Sequence, residues 1–437
     1  MDEAFAYSTL ALTMALAVSR PRIGLRGLRF TPGTAALFGV AVLVALGLVG
    51  VDDFVSSARI QWRPLVALAS IMVMTGVVQE VGAFDRLALR LEVYARTTSV
   101  ARVFAIVFAA SVVTPSLLNN DAAILLLTPL VVAFVRRTYG RRPALVQAFA
   151  FAVFLAPGVA PFVVSNPMNM IVAEFAGIGF HAYAAVMAPI AVAGALLTFA
   201  ILRLCFRRDL AALSAVARPN AAPSATPSAV AFPPARSGEH AAVALLLAVF
   251  VAYPVVAALG GPIWVVSAGG ALAALGIARA RRIAPTRAVL AHVSLDILVF
   301  LWGVFIVVVG LRHVGVVDRL HALFDAAPVG SARQLGVVGV VAALGSAVVD
   351  NHPMSILDMM ALGGKAGHAP LLAALVGGDI GPRLLPVGSL AGLLWMDLMR
   401  RAGAEISIGK FVRLGALVLL PTLALSLALL WLLTRAP

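Results

Sequence analysis

The chain has 437 residues, 62% of them hydrophobic and only 12% charged, where a soluble globular domain has about 45–50% apolar and roughly 25% charged residues. That composition excludes a soluble fold and requires a polytopic membrane protein. The net charge of +14 sits in short loops and not on a soluble basic module, so it points to cytoplasmic loops and excludes nucleic acid as a partner.

The first apolar segment, 4–18, follows Asp2 and Glu3 where a cleaved leader would have a basic region. It reads as a short first transmembrane helix. Further spans fall at about 33–50, 64–82, 100–135, 144–170, 182–206, 240–259, 262–278, 293–312, 331–362, 369–399 and 410–433. A helix of about 20 apolar residues crosses a hydrocarbon core of about 30 Å. The segments 100–135 and 331–362 are too long for one crossing and carry polar residues at mid-length.

Of the 33 Lys and Arg, 25 fall in the loops 20–29, 83–102, 136–142, 203–239, 279–292 and 400–413, against 7 in the alternate loops. The positive-inside rule makes the first set cytoplasmic. Both termini are then periplasmic, and the protein sits in the bacterial inner membrane. The parity holds only if 100–135 and 331–362 enter and leave on one side each, as re-entrant hairpins from opposite faces. Residues 207–239, rich in Ala, Pro and Ser, read as a flexible cytoplasmic linker.

The linker separates two halves that match in order. GVVQEVGAFDRL (76–87) is similar to GLRHVGVVDRL (310–320). Asn120-Asp121 corresponds to Asp350-Asn351, and APGVAPFVVSNP (156–167) to GGDIGPRLLPVGS (377–389). The fold expected is all-α, with inverted repeats 1–206 and 240–437, each holding one hairpin and one Gly/Pro-broken helix. Paired interrupted segments of this kind mark a transporter's binding site. Irregular backbone at membrane depth survives only where protein buries it or a wet cavity meets it.

Those breaks hold Asn119, Asn120, Ser165, Asn166, Asn169, Asn351, Gly388 and Ser389 as candidate substrate-binding residues. Asp121, Asp350, Asp379, His352 and Arg383 are candidates for proton coupling, since an ionisable residue in a span costs roughly 2.5–3.5 kcal/mol on insertion scales. Asn and Asp also favour caps and turns, so capping and site-lining both stay open for the hairpin tips and for Ser165 and Asn166. Asp379, four residues before Arg383, is its expected ion-pair partner. Asp85-Arg86 and Asp318-Arg319 read as solvated helix ends, Glu80 as interfacial, and Asp358 as unassigned.

Three segments carry a family resemblance: LLNNDAAILLLTPLVV (117–132), VVSNPMNMIVAEFAGIGFHAY (163–183) and, most specifically, GGDIGPRLLPVGSLAGLLWMDLMRRAG (377–403). They resemble the arsenite/antimonite efflux pumps of the ArsB type, within an ion-transporter superfamily that includes dicarboxylate carriers and sodium/proton antiporters. The likeness runs from about residue 60 to the end, apart from the linker. It implies efflux of a trivalent metalloid, coupled to protons or assisted by a soluble ATPase subunit, with a moving transport domain in an elevator arrangement. A second copy of the chain is an allowed partner. Sodium/proton antiport and dicarboxylate transport are the alternatives. Asp350-Asn351-His352-Pro353 departs from the neutral, asparagine-rich tip that the resemblance leads one to expect.

Arsenous acid is mainly neutral near neutral pH and offers three hydroxyls, which suits a ring of Asn, Ser and backbone groups. The single cysteine, Cys205, rules out capture by several thiolates and any multi-thiolate metal site. No cofactor or metal is expected. No nucleophile–base pair or HExxH spacing suggests an enzyme.

Overall fold

The computed structural model describes residues 2–19, 22–23, 28–117, 120–140, 142–216, 238–363 and 367–435. The first half contains α1 (Asp2–Ser19), a ladder of β1 (Arg22–Ile23) and β2 (Leu28–Arg29), α2 (Pro32–Ala45), α3 (Val51–Glu80), α4 (Ala83–Thr97), α5 (Val100–Leu117), α6 (Asn120–Tyr139), α7 (Pro143–Leu155), α8 (Pro167–Ala176), α9 (Phe180–Cys205) and α10 (Arg207–Val216). The second half contains α11 (Glu239–Ala258), α12 (Ile263–Ala280), α13 (Thr286–Leu290), α14 (Leu295–His313), α15 (Val316–Phe324), α16 (Ala332–Val349), α17 (Asn351–Leu362), α18 (His368–Ile380), α19 (Leu390–Arg401) and α20 (Ile408–Arg435). The antiparallel ladder, with Arg22 opposite Arg29, is the one departure from the all-helical expectation among the described residues.

The element order repeats. Two apolar helices lead to a third (α3, or α13 with α14), then a short amphipathic helix (α4, α15), a helical hairpin (α5–α6, α16–α17), a broken helix (α7–α8, α18–α19) and a long closing helix (α9, α20). The closing helices even share an internal proline, Pro189 and Pro421, which removes a backbone hydrogen bond and bends a helix. Eight helices among the described residues are long and apolar enough to span a membrane. The expected spans at 4–19 and 33–50 are helices of 18 and 14 residues, shorter in apolar length than those eight. The remainder are hairpin arms, pieces of the broken helices, and the short connecting helices α4, α10 and α15.

Two layers result. In the first, α2 packs on α14 and α12 on α3, each pair crossing between the repeats, with α1 and α11 outside them. In the second, each hairpin sits against its own broken helix, and the second half of each broken helix crosses to the other hairpin: α19 packs on α6, and α8 on α17. The contact of α16 with α18 is built on small residues, as membrane helix interfaces generally are. A Cβ on Gly377 of α18 would run into the Gly339 carbonyl of α16, so glycine is what lets the helices approach there.

Two expectations change in detail. The first ten residues of the expected linker form α10, whose Leu210 is buried and which packs on α5 and α7. Residues 217–237 lie outside the described residues. Arg86 does not stand at a solvated helix end. It pairs with Glu239 at 2.7 Å, both side chains largely buried, and so ties α4 to the start of α11. Glu80 is partly exposed and lies 2.9 Å from His292 of the other half.

Candidate functional site

Both broken helices stop in the middle of the second layer, and their ends supply the polar groups. After Leu155, α7 gives way to extended chain and a 3-10 turn at Val163–Ser165, and α8 restarts at Pro167. Asn166 caps that restart, its Oδ1 accepting from the Met168 N–H at 3.1 Å, and proline at the first helical position needs no donor. In the second repeat, α18 ends at Ile380, two 3-10 turns follow, and Ser389 caps α19 by accepting from the Gly392 N–H at 3.0 Å. Each cap contributes about 1 kcal/mol to its half-helix. Capping is therefore realised at both breaks.

A cavity of about 330 Å³ opens beside the first break. Asn120, Ser165, Asn166 and Asp379 line it, together with Ser116 near the tip of the first hairpin. Ser165 Oγ donates to the Ser116 carbonyl at 2.9 Å, which fastens the hairpin to the break. The Asn120 Oδ1 atom is buried without a partner among the described residues. It is a free acceptor at the cavity wall.

Asp379 reaches across from the second repeat into donors of the first. It accepts from the Ala160 N–H at 2.8 Å, from Asn166 Nδ2 at 2.7 Å and from Asn169 Nδ2 at 3.3 Å. The carboxyl is 7% exposed, a burial that is tolerable only with such donors.

Arg383 does not form the expected ion pair with Asp379. Its Nη2 donates to the carbonyls of Leu155 and Pro157 at 2.7 and 2.8 Å, and Nη1 to Thr422 Oγ1 at 3.4 Å. The guanidinium thus satisfies the open carbonyl end of α7, where the helix dipole favours a cation. A Cβ on Gly158 would stand 2.7 Å from Nη2, so that glycine makes room for the side chain.

The second hairpin tip is buried and lies apart from the cavity lining. Asp350 has φ 78° and ψ 148°, a region that is nearly glycine-only. Its Oδ1 accepts from the His352 N–H at 2.9 Å and bonds His352 Nδ1 at 2.7 Å. The His352 ring stands edge-on to Phe300 of α14. Asn351 is buried with an unpartnered Oδ1 among the described residues. Gly388 packs on the last turn of α16. Asn351, Gly388 and Ser389 therefore do not join Asn120, Ser165 and Asn166 at the cavity. Asn119 and the side chain of Asp121 lie outside the described residues.

Two buried polar residues, one behind the cavity and one on α17, were not assigned a role from the sequence. Tyr183 bonds Asn169 and Ala160, and nothing distinguishes it in the sequence beyond the rule that a buried tyrosine hydroxyl seeks a partner. Asp358, unassigned above, is 0% exposed with neither carboxyl oxygen partnered among the described residues. A charge there would have no donor to hold it.

A second cavity, of about 410 Å³, lies beyond the 3-10 turn of the first break and is lined by Arg63, Glu174, His181 and Trp264 among others. Phe162 and Phe250 line the first cavity and Phe180 the second. Phe162 stacks on Phe180 at 5.8 Å and meets Phe250 edge-on at 5.0 Å, so aromatic rings stand between the two spaces. No three His, Cys, Asp or Glu side chains converge anywhere among the described residues.

Two helical halves of matching element order, with a mainly apolar cavity where the first hairpin and first break meet Asp379 of the second half, define a multi-pass membrane transporter. The fold is similar to that in the crystal structure of the Alcanivorax borkumensis YdaH transporter, with a TM-score of 0.54 at 19% identity, covering 98% of this chain and 96% of that one. The chain belongs to the arsenical pump membrane protein (ArsB) family, whose sequence model matches residues 9–433. It is 30% identical to the arsenical pump membrane protein of Yersinia enterocolitica over 96% of each chain. It is 29% identical to that of Escherichia coli K12 over 95% of this chain and 96% of that one. An uncharacterized transporter of Mycobacterium tuberculosis is 28% identical over 91% and 92%. The likeness thus extends past the expected start near residue 60 to include the first helices.

Proposed function

We propose that the protein exports trivalent metalloid, arsenite or antimonite, in exchange for protons, and that the hairpin-bearing layer moves against the other layer as an elevator. One observation carries the substrate reading. The cavity is mainly apolar, and its few polar groups are amides, a serine hydroxyl, backbone groups and one carboxylate already held by three donors, while Arg383 spends two of its nitrogens on carbonyls and Thr422. A neutral trihydroxy acid can bond to such a surface, and a dicarboxylate would meet a negative charge with no free cation lining the cavity. The names of the related pumps support the same substrate.

Asp379 is the proton carrier in this reading, because it is the one ionisable group lining the cavity among the described residues. Loop charges support a cytoplasmic 217–237 segment, periplasmic termini, and repeats 1–206 and 240–437 of opposite orientation. The second cavity, walled by residues of loops assigned to the periplasmic side, is the exit path, and the stacked phenylalanines close it in this conformation.

The test is arsenite resistance in a bacterial strain lacking its own pump, followed by arsenite uptake into everted vesicles with an acid-inside pH gradient. Restored resistance and gradient-dependent uptake are expected. Sensitivity that persists with the protein present in the membrane would overturn the substrate, and uptake indifferent to the gradient would overturn the coupling.

A further inference from the structure

A closed circuit of hydrogen bonds lies behind the cavity. Asn169 Nδ2 donates to the Tyr183 hydroxyl at 2.6 Å, and the hydroxyl donates to the Ala160 carbonyl at 3.1 Å. The Ala160 N–H donates to Asp379 Oδ2 at 2.8 Å, and Asn169 Nδ2 gives its other proton to the same oxygen at 3.3 Å. Tyr183 and Asn169 are both fully buried. The remaining amide atom, Asn169 Oδ1, is buried without a partner among the described residues.

The direction of these bonds matters. As drawn, both donors around Oδ2 point at it, which suits a carboxylate that only accepts. A proton on Oδ2 turns that oxygen into a donor, and the Asn169 N–H then opposes it. Rotation of the Asn169 amide resolves the conflict with little displacement of heavy atoms. Oδ1 takes the place of Nδ2, accepts from Oδ2–H, and accepts from a Tyr183 hydroxyl that has turned away from Ala160; the amide N–H2 then points where Oδ1 now lacks a partner, so this state holds only while Oδ2 keeps its proton. The unpartnered Oδ1 is the atom such a rotation would bring into use.

We propose that Tyr183 is a positioning residue of the transport site: with Asn169 it forms a two-state circuit that holds the 156–162 segment against Asp379 and reverses when Asp379 gains or loses its proton. This rests on the reading of Asp379 as the proton carrier. The reversal releases the Ala160 carbonyl, and with it the chain leading to Ser165 and Asn166 at the cavity wall. Protonation is thereby felt by the groups that meet substrate. Other ionisable groups on the elements packed on α18 are Arg383, which holds the α7 carbonyls, Asp350, His352 and Asp358 on α17, Arg333 on α16, Glu174 on α8, and Lys410, Arg413 and Arg435 on α20. None bonds to Asp379 among the described residues.

Tyr183→Phe keeps the ring and removes the hydroxyl, whereas Tyr183→Leu removes both. In everted vesicles the Phe variant is expected to lose about 10-fold in maximal arsenite uptake, as for two ordinary hydrogen bonds. The half-saturating arsenite concentration should stay within about 2-fold, since the hydroxyl does not line the cavity, and the pH profile should shift because the Ala160 and Asn169 donors are no longer held in place. A reading independent of substrate is the pH-dependent infrared carboxyl band of the protein in liposomes, assigned by its loss in Asp379→Asn. That band should shift in Tyr183→Phe. A Phe variant with the parent's rate, pH profile and carboxyl band would overturn the proposal and leave Tyr183 a packing residue. A parent chain that moves no arsenite yet shows the band shift would sink the substrate reading alone. If Tyr183→Phe fails to accumulate, Asn169→Ala opens the same circuit from its other side and gives the same readings.

Discussion

Asp379 and Arg383 stand four positions apart, and their separation is the clearest lesson at the scale of single residues. The spacing rule that pairs i with i+4 presumes a continuous helix. Here α18 ends at Ile380 and the chain tightens into a 3-10 turn at Gly381–Arg383, so the arginine swings off the face of the aspartate and caps α7 instead. The two residues should therefore fail differently. Asp379→Asn keeps size but cannot carry a proton and turns an N–H2 toward groups that now donate to the carboxylate; it is expected to abolish gradient-driven arsenite uptake in vesicles while lowering thermal stability in detergent less than Arg383→Gln does. Arg383→Gln strips the cap from the Leu155 and Pro157 carbonyls. It is expected to destabilise by about 1–3 kcal/mol, read as a lower melting temperature and less protein in the membrane. Equal stability in both variants would contradict the capping role. Asn120, Asn166 and Asp379 were legible because polar groups stand out in an apolar run. Tyr183 was not, because its role depends on Ala160 and Asn169, which no spacing connects to it.

The elements were more legible than the atoms. Hairpins and breaks announced themselves by polar and Gly/Pro interruptions at matching places, and their bounds follow the sequence closely: α16 and α17 cover Ala332–Leu362 where 331–362 was expected. What the pattern could not supply was the conformation of each tip, since backbone angles at a single residue leave no periodic trace. Asp350 illustrates this. It adopts a backbone region reserved for glycine while its side chain caps α17, so the tip combines strain with a compensating bond. Asp350→Gly removes the cap but relieves the strain, whereas Asp350→Ala removes the cap and keeps a side chain where φ is positive. The Ala variant is expected to be less stable than the Gly variant by about 1–3 kcal/mol, measured as the difference in thermal unfolding of the two purified proteins. The reverse order would mean that the tip relaxes freely and that its strain is unimportant.

At the scale of the whole molecule, the layers differ in what joins them. Within the first layer, α2 with α14 and α3 with α12 interlock the repeats over long apolar faces, while α3 touches the hairpin-bearing layer through α8. One polar fastening at that boundary is Arg63–Glu174, at 2.6 Å with side chains 49% and 39% exposed. An ion pair so exposed is worth no more than about 1 kcal/mol, weak enough to break and re-form in the elevator cycle proposed above. An elevator requires α8 to slide past α3, so tethering these two residues should stop transport without disturbing the fold. Cys205 is the chain's only cysteine, and a Cys205→Ser background leaves Arg63→Cys and Glu174→Cys as the only reactive thiols. Two long side chains that meet at their tips stand too far apart at the backbone for a disulfide, so a short bismaleimide is the suitable tether. Cross-linked vesicles are expected to lose arsenite uptake, while either single-cysteine variant treated alike retains it. A second tether placed inside the first layer, between α2 and α14, should leave uptake intact, because those helices move together. Uptake that survives the α3–α8 tether would mean that α8 stays fixed to α3, and the transport step would then have to lie in the hairpins alone.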